Sequence, residues 1–410
     1  MKKCKAPADS RKAFRLADSR SPREMIRNAL RRQLHDAMRG LVHDLFEQEV
    51  TTLCGPRYER DRQAEGARAG SERGSIYWDG RREPLRRPRV RGTEGEVHLE
   101  AYDALRDYDL FSDEVQRLLI RGVSTRDFSE LTEKLDEDLP LSKSSASRAF
   151  QRSSQRDLDE LNGRDLSGET YCCIMIDGIE KACSHVMVAL GFTTKGSKQI
   201  LGLREGATEN SEVVKDLIQS LIDRGLCTTP HLLFVLDGAK ALRKAVKAHW
   251  GERAVVQRCQ EHKIRNVRSY LSSGPQDELE RRMRAAYGMK TFEEALAAMK
   301  KLTAWLSDHH EQAAKSLKEG LEETLTMHRP GLPEVLRRTF RSANPIESLF
   351  DKVEYRVKRV KNWKGRHQIA RWAASSLLLH EGKFRRIRGY KQMHLLLAAL
   401  ENVDTKQAVA

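Results

Sequence analysis

Short apolar runs of strand length follow one another from residue 170 onward, separated by Gly, Lys and Ser. The first three cover residues 172–176, 184–192 and 198–203, and the segment 194–197 between the last two contains a Gly. Runs of this length with Gly at the turn are typical of adjacent antiparallel strands. The pattern therefore predicts a three-stranded antiparallel meander.

The period of the apolar positions then changes to that of a helix. Asn210 or Ser211 is the predicted cap, and Gly225 the predicted end. Two further strands are predicted over 231–236 and 254–257. This order of three strands, a helix and two strands is that of the ribonuclease-H-like nucleotidyl-transfer fold, so an α/β fold is expected. The apolar positions of the helix are Val213, Val214, Leu217, Ile218, Leu221 and Ile222.

A helical period returns after residue 264 and continues to about 335, which is too long for a simple connection in a compact domain. We therefore predict an all-α insertion over 264–339. It would interrupt a catalytic domain formed by 170–263 and 340–392, followed by a C-terminal tail over 393–410. The apolar positions that carry this period are Phe292, Ala295, Leu296, Met299, Leu302, Trp305 and Leu306.

Three acidic residues occupy special places in this pattern. Asp177 and Asp237 each end a predicted strand before a Gly, and Glu347 falls in the first turn of a helix with Asn344 as cap and Pro345 at its first position. Taken singly, each has an ordinary structural explanation as a turn or a capped helix. Converging carboxylates would repel one another unless cations lay between them, and their hard oxygens suit Mg²⁺ or Mn²⁺. Two such ions clamp a phosphodiester during in-line displacement.

Four short motifs surround these acids: Met-Ile-Asp-Gly at 175–178, Leu-Asp-Gly-Ala-Lys at 236–240, Arg-Cys-Gln-Glu-His-Lys at 258–263 and Ala-Asn-Pro-Ile-Glu-Ser at 343–348. With them, most of the chain resembles the Mutator-type DDE transposases of bacterial insertion sequences. The resemblance implies that the three acids hold two Mg²⁺ (or Mn²⁺) ions. It also implies cleavage at terminal inverted repeats, strand transfer into target DNA, and a homodimer that pairs both DNA ends.

Cys259 and His262 match a Cys-x-x-His signature of the same group. Such a pair could also be half of a zinc site, with Cys183 and His185 as the other half. The two pairs would lie on distant strands of the predicted sheet, which disfavours a shared ion. The preferred interpretation is structural: Cys259 and His262 orient the start of the helix after the fifth strand, near the active site.

Charge indicates a polyanionic partner. The chain has 74 Lys and Arg against 59 Asp and Glu, a formal net charge of +15 and a pI of about 9.5. Residues 352–391 alone carry an excess of +11, directly after Glu347. A solvated helical face would explain these charges too, but their position favours DNA phosphates near the scissile bond. The expected contacts are Lys358, Arg359, Lys361 and Lys364.

The N-terminal half divides into three predicted regions. Residues 1–54 are predicted to be helical, and residues 55–98 are rich in Gly and Arg, which indicates either a linker or an arm that follows the DNA backbone. Residues 99–161 are expected to form a helix-turn-helix DNA-binding domain, with helices at 112–120, 124–135 and 143–160. A plain three-helix packing unit is the alternative. The proposed recognition helix opens with Lys143, Ser144, Ser147 and Arg148.

Several classes of protein are disfavoured. No apolar run is long enough to cross a bilayer, the N-terminus lacks the apolar core of a signal peptide, and seven cysteines without a regular framework fit reduced thiols. We therefore expect a cytoplasmic, nucleoid-associated DNA transposase. A related metal-dependent nuclease or integrase is the alternative enzyme, and a DNA-binding regulator with vestigial acids is the alternative outside enzymes.

Overall fold

The computed structural model describes residues 22–58, 64–78, 81–93, 95–107, 110–124, 143–181, 184–206, 211–329, 331–358, 360, 362–363 and 367–402. The chain forms two compact units, Met1–Phe111 and Ser112–Ala410. Among the residues just given, no helix combines the length and the apolar character that crossing a membrane requires.

The first unit is a long helix and a small antiparallel sheet. Helix α1 (Pro22–Cys54) precedes strands β1 (Gly66–Trp78), β2 (Arg81–Gly92) and β3 (Glu96–Val97), and helix α2 (Glu100–Asp107) follows. The strands lie in the order β1-β2-β3. One side of the sheet packs on both helices, and the buried side chains there are Val42, Phe46, Val50, Ile76, Val90, Leu99 and Tyr102.

This arrangement corrects two expectations. Residues 55–98 are not a linker, because most of them form a β-hairpin whose strands pair from Gly66–Gly92 to Trp78–Arg81. A role as a DNA-contacting arm stays a prediction. Leu99 and Tyr102 bury their side chains in the first unit, so the division in the chain falls near residue 111 and not at residue 98. The burial of apolar side chains accounts for the shift.

A five-stranded mixed sheet forms the centre of the second unit. Its strands are β4 (Thr170–Lys181), β5 (Ser184–Thr193), β6 (Lys198–Gly206), β7 (Cys227–Leu236) and β8 (Ala254–Arg258). They lie in the order β6-β5-β4-β7-β8. Strands β4, β5 and β6 are antiparallel neighbours, whereas β7 runs parallel to β4 and β8 runs parallel to β7. The predicted meander and both later strands are therefore confirmed.

Helices cover this sheet. Helices α5 (Ser211–Asp223) and α6 (Lys240–Trp250) contribute to a core with the apolar side chains of the strands. Helix α5 ends where Gly225 adopts a φ of 78°, a conformation that glycine allows at a helix end. The residues expected to be a C-terminal tail instead contain helix α14 (Met393–Glu401), which buries Met393, Leu396 and Leu400.

The predicted insertion, residues 264–339, is helical, and it has its own core. Its regular elements are α7 (Gln260–Arg268), α8 (Ser273–Tyr287), α9 (Phe292–His309), α10 (Glu311–Lys318), a 3₁₀ helix (Glu322–His328) and α11 (Glu334–Phe340). Helices α12 (Asn344–Val357) and α13 (Gln368–Glu381) then return to the central sheet.

The helices expected to form a separate DNA-binding domain belong to the second unit. Helices α3 (Leu110–Ile120) and α4 (Lys143–Gly163) match two of the three predicted helices, and the middle one, 124–135, lies almost wholly outside the described residues. Gln116 donates to Ser375 Oγ at 2.7 Å, and the rings of Phe150 and Trp372 lie 4.3 Å apart. Helices α3 and α4 therefore pack on α13.

Arg224 provides a test of this packing, because its guanidinium joins three elements. It donates to the carbonyls of Leu161, Leu201 and Ser220 over 2.7–3.1 Å, and burial lowers its pKa to about 10. Arg224→Met would remove these hydrogen bonds from a charged donor, so we expect a loss of about 2–3 kcal/mol in the free energy of unfolding. Chemical denaturation followed by circular dichroism measures this loss. Arg253→Met, at an exposed position, is the control, and equal stabilities of the two variants would contradict this role.

Candidate active site

Asp177 and Asp237 lie at the same level on two adjacent strands of the central sheet. Strands β4 and β7 are parallel neighbours, and Ile176 pairs with Leu236. Asp177 and Asp237 directly follow this pair of residues, one on each chain segment, so they lie side by side. Asp177 is 8% exposed and Asp237 is half-buried. Asp237 directly follows β7, as predicted, whereas Asp177 does not end its strand: β4 continues beside β5 as far as Lys181, because the two strands keep pairing beyond the acid.

Backbone groups orient each aspartate. The N–H of Gly178 donates to Asp177 Oδ1 at 2.9 Å, and the N–H of Ala239 donates to Asp237 Oδ1 at 2.7 Å. Gly238 adopts a φ of 108°, and a Cβ at this position would lie 2.1 Å from Nε of the buried Arg258. Only glycine therefore fits the turn after Asp237 without displacing the arginine.

Glu347 reaches the site from helix α12, which packs on β4. The helix begins one residue earlier than predicted: Ala343 is the N-cap, and Asn344 is the first helical residue rather than the cap. Within the first turn, Glu347 Oε1 lies 3.4 Å from His262 Nε2 and 2.8 Å from Arg265 Nη2. The third acid thus faces helix α7.

His262 connects the third acid with the second. Burial lowers its pKa, while the charges of Glu347 and Asp237 oppose that shift. The imidazole is therefore within electrostatic reach of both carboxylates and mainly neutral at pH 7. Its Nδ1 is buried without a hydrogen-bond partner among the described residues.

Cys259 joins the three elements that carry the site. Its N–H donates to the carbonyl of Leu236 at 2.7 Å, directly before Asp237, and its Sγ accepts the N–H of Ala343 at 3.2 Å. Burial raises the pKa of the thiol to about 11, so it stays protonated at neutral pH. These contacts agree with the preferred structural interpretation of Cys259 as a residue that positions the start of α7.

The available ligand atoms fit hard cations at the carboxylates. Oxygen ligands from two aspartates and a glutamate are what Mg²⁺ or Mn²⁺ prefers. Among the described residues, the donor atoms that lie within 4.8 Å of one another are those of Cys259, His262 and Glu347, and this group does not include the two aspartates. Cys183 of the alternative zinc half-site lies outside the described residues.

The residues predicted to contact DNA that the structure describes belong to helix α4 and to the end of helix α12. Lys143 and Ser144 open helix α4, and Ser147 and Arg148 in its next turn are exposed. Lys358 is exposed at the end of α12. Arg359, Lys361 and Lys364 fall outside the part of the chain that the structure describes.

Comparison with known proteins adds the decisive observation. The family described as "Transposase, Mutator family" matches residues 12–381 of the chain. The chain belongs to this family. It is 28% identical over 253 residues to the transposase for insertion sequence element IS6120 of Mycolicibacterium smegmatis, covering 60% of this chain and 76% of that protein.

Two further transposases are similar over more of their length. The transposase for IS1201 of Lactobacillus helveticus is 24% identical over 349 residues, covering 82% of this chain and 90% of that protein. The transposase for ISRM5 of Rhizobium meliloti (strain 1021) is 27% identical over 337 residues, with coverage of 79% and 81%. The resemblance inferred from the motifs to Mutator-type transposases is therefore confirmed.

Two arginines of this family member were not among the candidates from the sequence. Arg265 binds Glu347, and it lies one helical turn after His262, a spacing that places both on one face of α7. Arg258 fills the space beside Gly238 and donates to the carbonyl of Glu319 at 2.9 Å. The sequence could have indicated Arg258, because this residue belongs to the motif 258–263.

Cys259 offers a test of how the site is held together. Cys259→Ala removes the acceptor for the Ala343 N–H and leaves a small void, so we expect the free energy of unfolding to fall by about 1–2 kcal/mol. Cys259→Ser keeps an acceptor at the N-cap of α7 and should retain more stability. Thermal melting of the two variants measures the difference. Cys227→Ala, at an exposed cysteine, is the control, and equal melting of the two alanine variants would contradict the role.

Proposed function

We propose that this Mutator-family transposase cuts DNA at the terminal inverted repeats of its insertion sequence and joins the freed ends to target DNA. Asp177, Asp237 and Glu347 would hold two Mg²⁺ (or Mn²⁺) ions. The observation that carries the proposal is the register of β4 with β7, which brings two aspartates together beside the helix of the glutamate. It acts, on this proposal, in the cytoplasm at the nucleoid.

The strand order favours a ribonuclease-H-like catalytic domain. Three antiparallel strands continue into two parallel strands, and the first and fourth strands along the sequence are neighbours at the centre of the sheet. An α-helical insertion lies between the second and third acids. This arrangement supports the fold that the order of elements predicted.

Each side chain then has a defined task. When bound, the two ions would activate water and later the DNA 3′-hydroxyl, and would stabilise the leaving oxygen. The three carboxylates supply oxygen ligands, and Cys259 fixes the helix that carries Glu347 relative to Asp237. Arg265, whose side chain is 58% exposed, offsets the charge of Glu347 at the solvent side.

DNA recognition is proposed to be divided among separate surfaces. Helix α4 would read base edges as part of a helix-turn-helix, and the basic stretch from Lys358 to Lys364 would contact phosphates without reading sequence. The hairpin of β1 and β2 would serve as an arm along the DNA backbone. On the face of the hairpin that points away from the helices, Arg73 lies opposite Arg86, and this face carries no acidic residue over 71–77 and 82–88. Two copies would pair the two DNA ends.

The acids provide the first functional test. Asp177→Asn, Asp237→Asn and Glu347→Gln each remove a charged ligand while keeping the shape of the side chain. We expect the rate of Mg²⁺-dependent cleavage of a plasmid that carries this coding sequence and its flanking DNA to fall below about one hundredth of that of the unchanged protein. Even changes to groups that only support metal ligands lower activity roughly 10- to 100-fold. DNA binding should be retained.

Asp351→Asn is the matched control for these three changes. Asp351 is exposed one turn beyond Glu347 on the same helix. Its removal should leave cleavage near the level of the unchanged protein. A variant of Asp177, Asp237 or Glu347 that still cleaves at a comparable rate would remove that residue from the site.

The second functional test concerns sequence preference. Lys143→Ala combined with Arg148→Ala should reduce the preference for the element's end over random DNA, because base contacts carry specificity. Competition between labelled end DNA and unlabelled random duplex measures this preference. Lys300→Ala with Lys301→Ala, on the exposed side of α9, removes the same charge and should leave the preference unchanged. If the two double variants show the same preference for end DNA over random DNA, end recognition must lie elsewhere in the chain.

A further inference from the structure

A basic groove of about 820 Å³ begins at the first turn of α12, the helix that carries Glu347. Its wall is built by β6, α11, α12 and the loop after α13. Three of its lining residues, Asn344, Pro345 and Ser348, belong to the same turn of helix as the third acid. The charged residues that line it are Lys198, Glu334, Arg338, Arg385, Arg386 and Arg388.

The charge of this groove is strongly positive. Its lining contains five cationic side chains and one carboxylate. That carboxylate, Glu334, binds Arg338 at 2.7 Å, one turn along the same helix. The remaining four cations therefore face the groove without a compensating acid in its lining, which favours a polyanionic ligand.

The loop that supplies three of the arginines is firmly anchored. Ile387 is 6% exposed, and its N–H donates to the carbonyl of Gly196 in the β5–β6 turn at 3.0 Å. Because this apolar residue points inward, its neighbours Arg385, Arg386 and Arg388 are exposed. The guanidinium of Arg386 also lies 5.3 Å from the ring centre of Tyr390. The cationic groups are thus partly preorganised, which lowers the entropy lost on binding.

Size and position distinguish between possible anions. A single phosphate would occupy only a small part of the groove, whereas its cations come from three separate elements. A polymer with regularly spaced charges can meet all of them at once, and one end of the groove is lined by Asn344, Pro345 and Ser348 of the turn that carries Glu347. From this turn the groove extends to the β5–β6 turn, which lies beside the start of β4, so a bound strand would lead away from the acids on one side.

We propose that this groove binds the DNA backbone on one side of the phosphodiester held by the three acids. The ligand is duplex DNA, recognised through its phosphates and without regard to sequence. This inference rests on the proposed function, since the acids define which phosphodiester is meant. Arg385, Arg386 and Arg388 are the main contacts, and Lys198 extends the surface toward the β5–β6 turn.

The test removes the three loop arginines from the full-length chain by the triple change Arg385→Gln, Arg386→Gln and Arg388→Gln. Ile387 is kept so that the anchor of the loop remains. The probe is a labelled random-sequence duplex of about 30 base pairs, titrated at several salt concentrations. Each phosphate contact contributes about 0.9 to the slope of log affinity against log salt, so the slope should fall by roughly 2 to 3.

Two further variants make the result specific. A triple change of Lys290, Lys300 and Lys301 to Gln removes the same charge from exposed positions in the helical insertion, and its slope should change by much less. Changing the three arginines to Lys keeps the charge and should preserve most of the slope. An unchanged slope in the Gln triple variant, or an equal fall in the insertion variant, would overturn the proposal.

Competition identifies the class of polyanion. Polyglutamate at equal charge concentration should displace the duplex poorly, and displacement as effective as that by unlabelled DNA would overturn the assignment to DNA. If the Gln triple variant melts at a lower temperature, Arg385→Gln and Arg388→Gln are measured singly, each with an expected fall in slope of about 0.9. If neither single variant lowers the slope, the proposal is likewise overturned.

The failure of the proposed function would look different. Suppose that Asp177→Asn cleaves DNA normally while the Gln triple variant shows the expected fall in the slope of log affinity against log salt. The groove then binds DNA, and the assignment of the metal site is wrong. If Asp177→Asn abolishes cleavage and the arginine triple variant binds and cleaves normally at all salt concentrations, the acids stand and the groove proposal falls.

Discussion

The parallel pairing of β4 with β7 is the constraint on which the candidate site depends. It sets Ile176 opposite Leu236, so the residues that follow, Asp177 and Asp237, emerge together although 59 positions of sequence separate them. A slip of one residue would turn one carboxylate to the other face of the sheet, because side chains alternate along a strand. The side chains of both strands are buried on both faces of the sheet, so a slip would place each of them in a space that is packed for a different side chain.

Every other part of the site is positioned from this pair of strands. The carbonyl of Leu236, the last residue of β7, accepts the N–H of Cys259, and the thiol of Cys259 accepts the N–H that precedes helix α12. Through these two hydrogen bonds the end of β7 determines where α7 and α12 begin, and therefore where His262 and Glu347 lie. Concentrated negative charge is offset locally by Arg265, which binds Glu347. This ion pair lowers the repulsion between Glu347 and other carboxylates.

On the surface of each unit, positive charges lie apart from carboxylates that are bound in ion pairs. On the hairpin of the first unit, Glu72 and Glu83 lie on the side that faces the helices and are bound by Arg87 and Arg39. The opposite side carries arginines. The groove beside α12 has the same character, since its one carboxylate is already bound by a neighbouring arginine. Ion pairs formed within the chain therefore leave an excess of positive charge where a polyanion can reach it.

The sequence by itself determined the order of elements, the three acids and the family, because strand length, helical period and short motifs are local properties of the chain. It could not predict the hairpin of residues 66–92, whose Arg and Gly residues have weak strand preference and whose apolar face is completed by α1. It also placed α4 in a separate domain, whereas the contact of Phe150 with Trp372 joins it to helix α13 of the second unit. These features depend on contacts between residues far apart in sequence, and such contacts form only when the tertiary structure brings the apolar surfaces together.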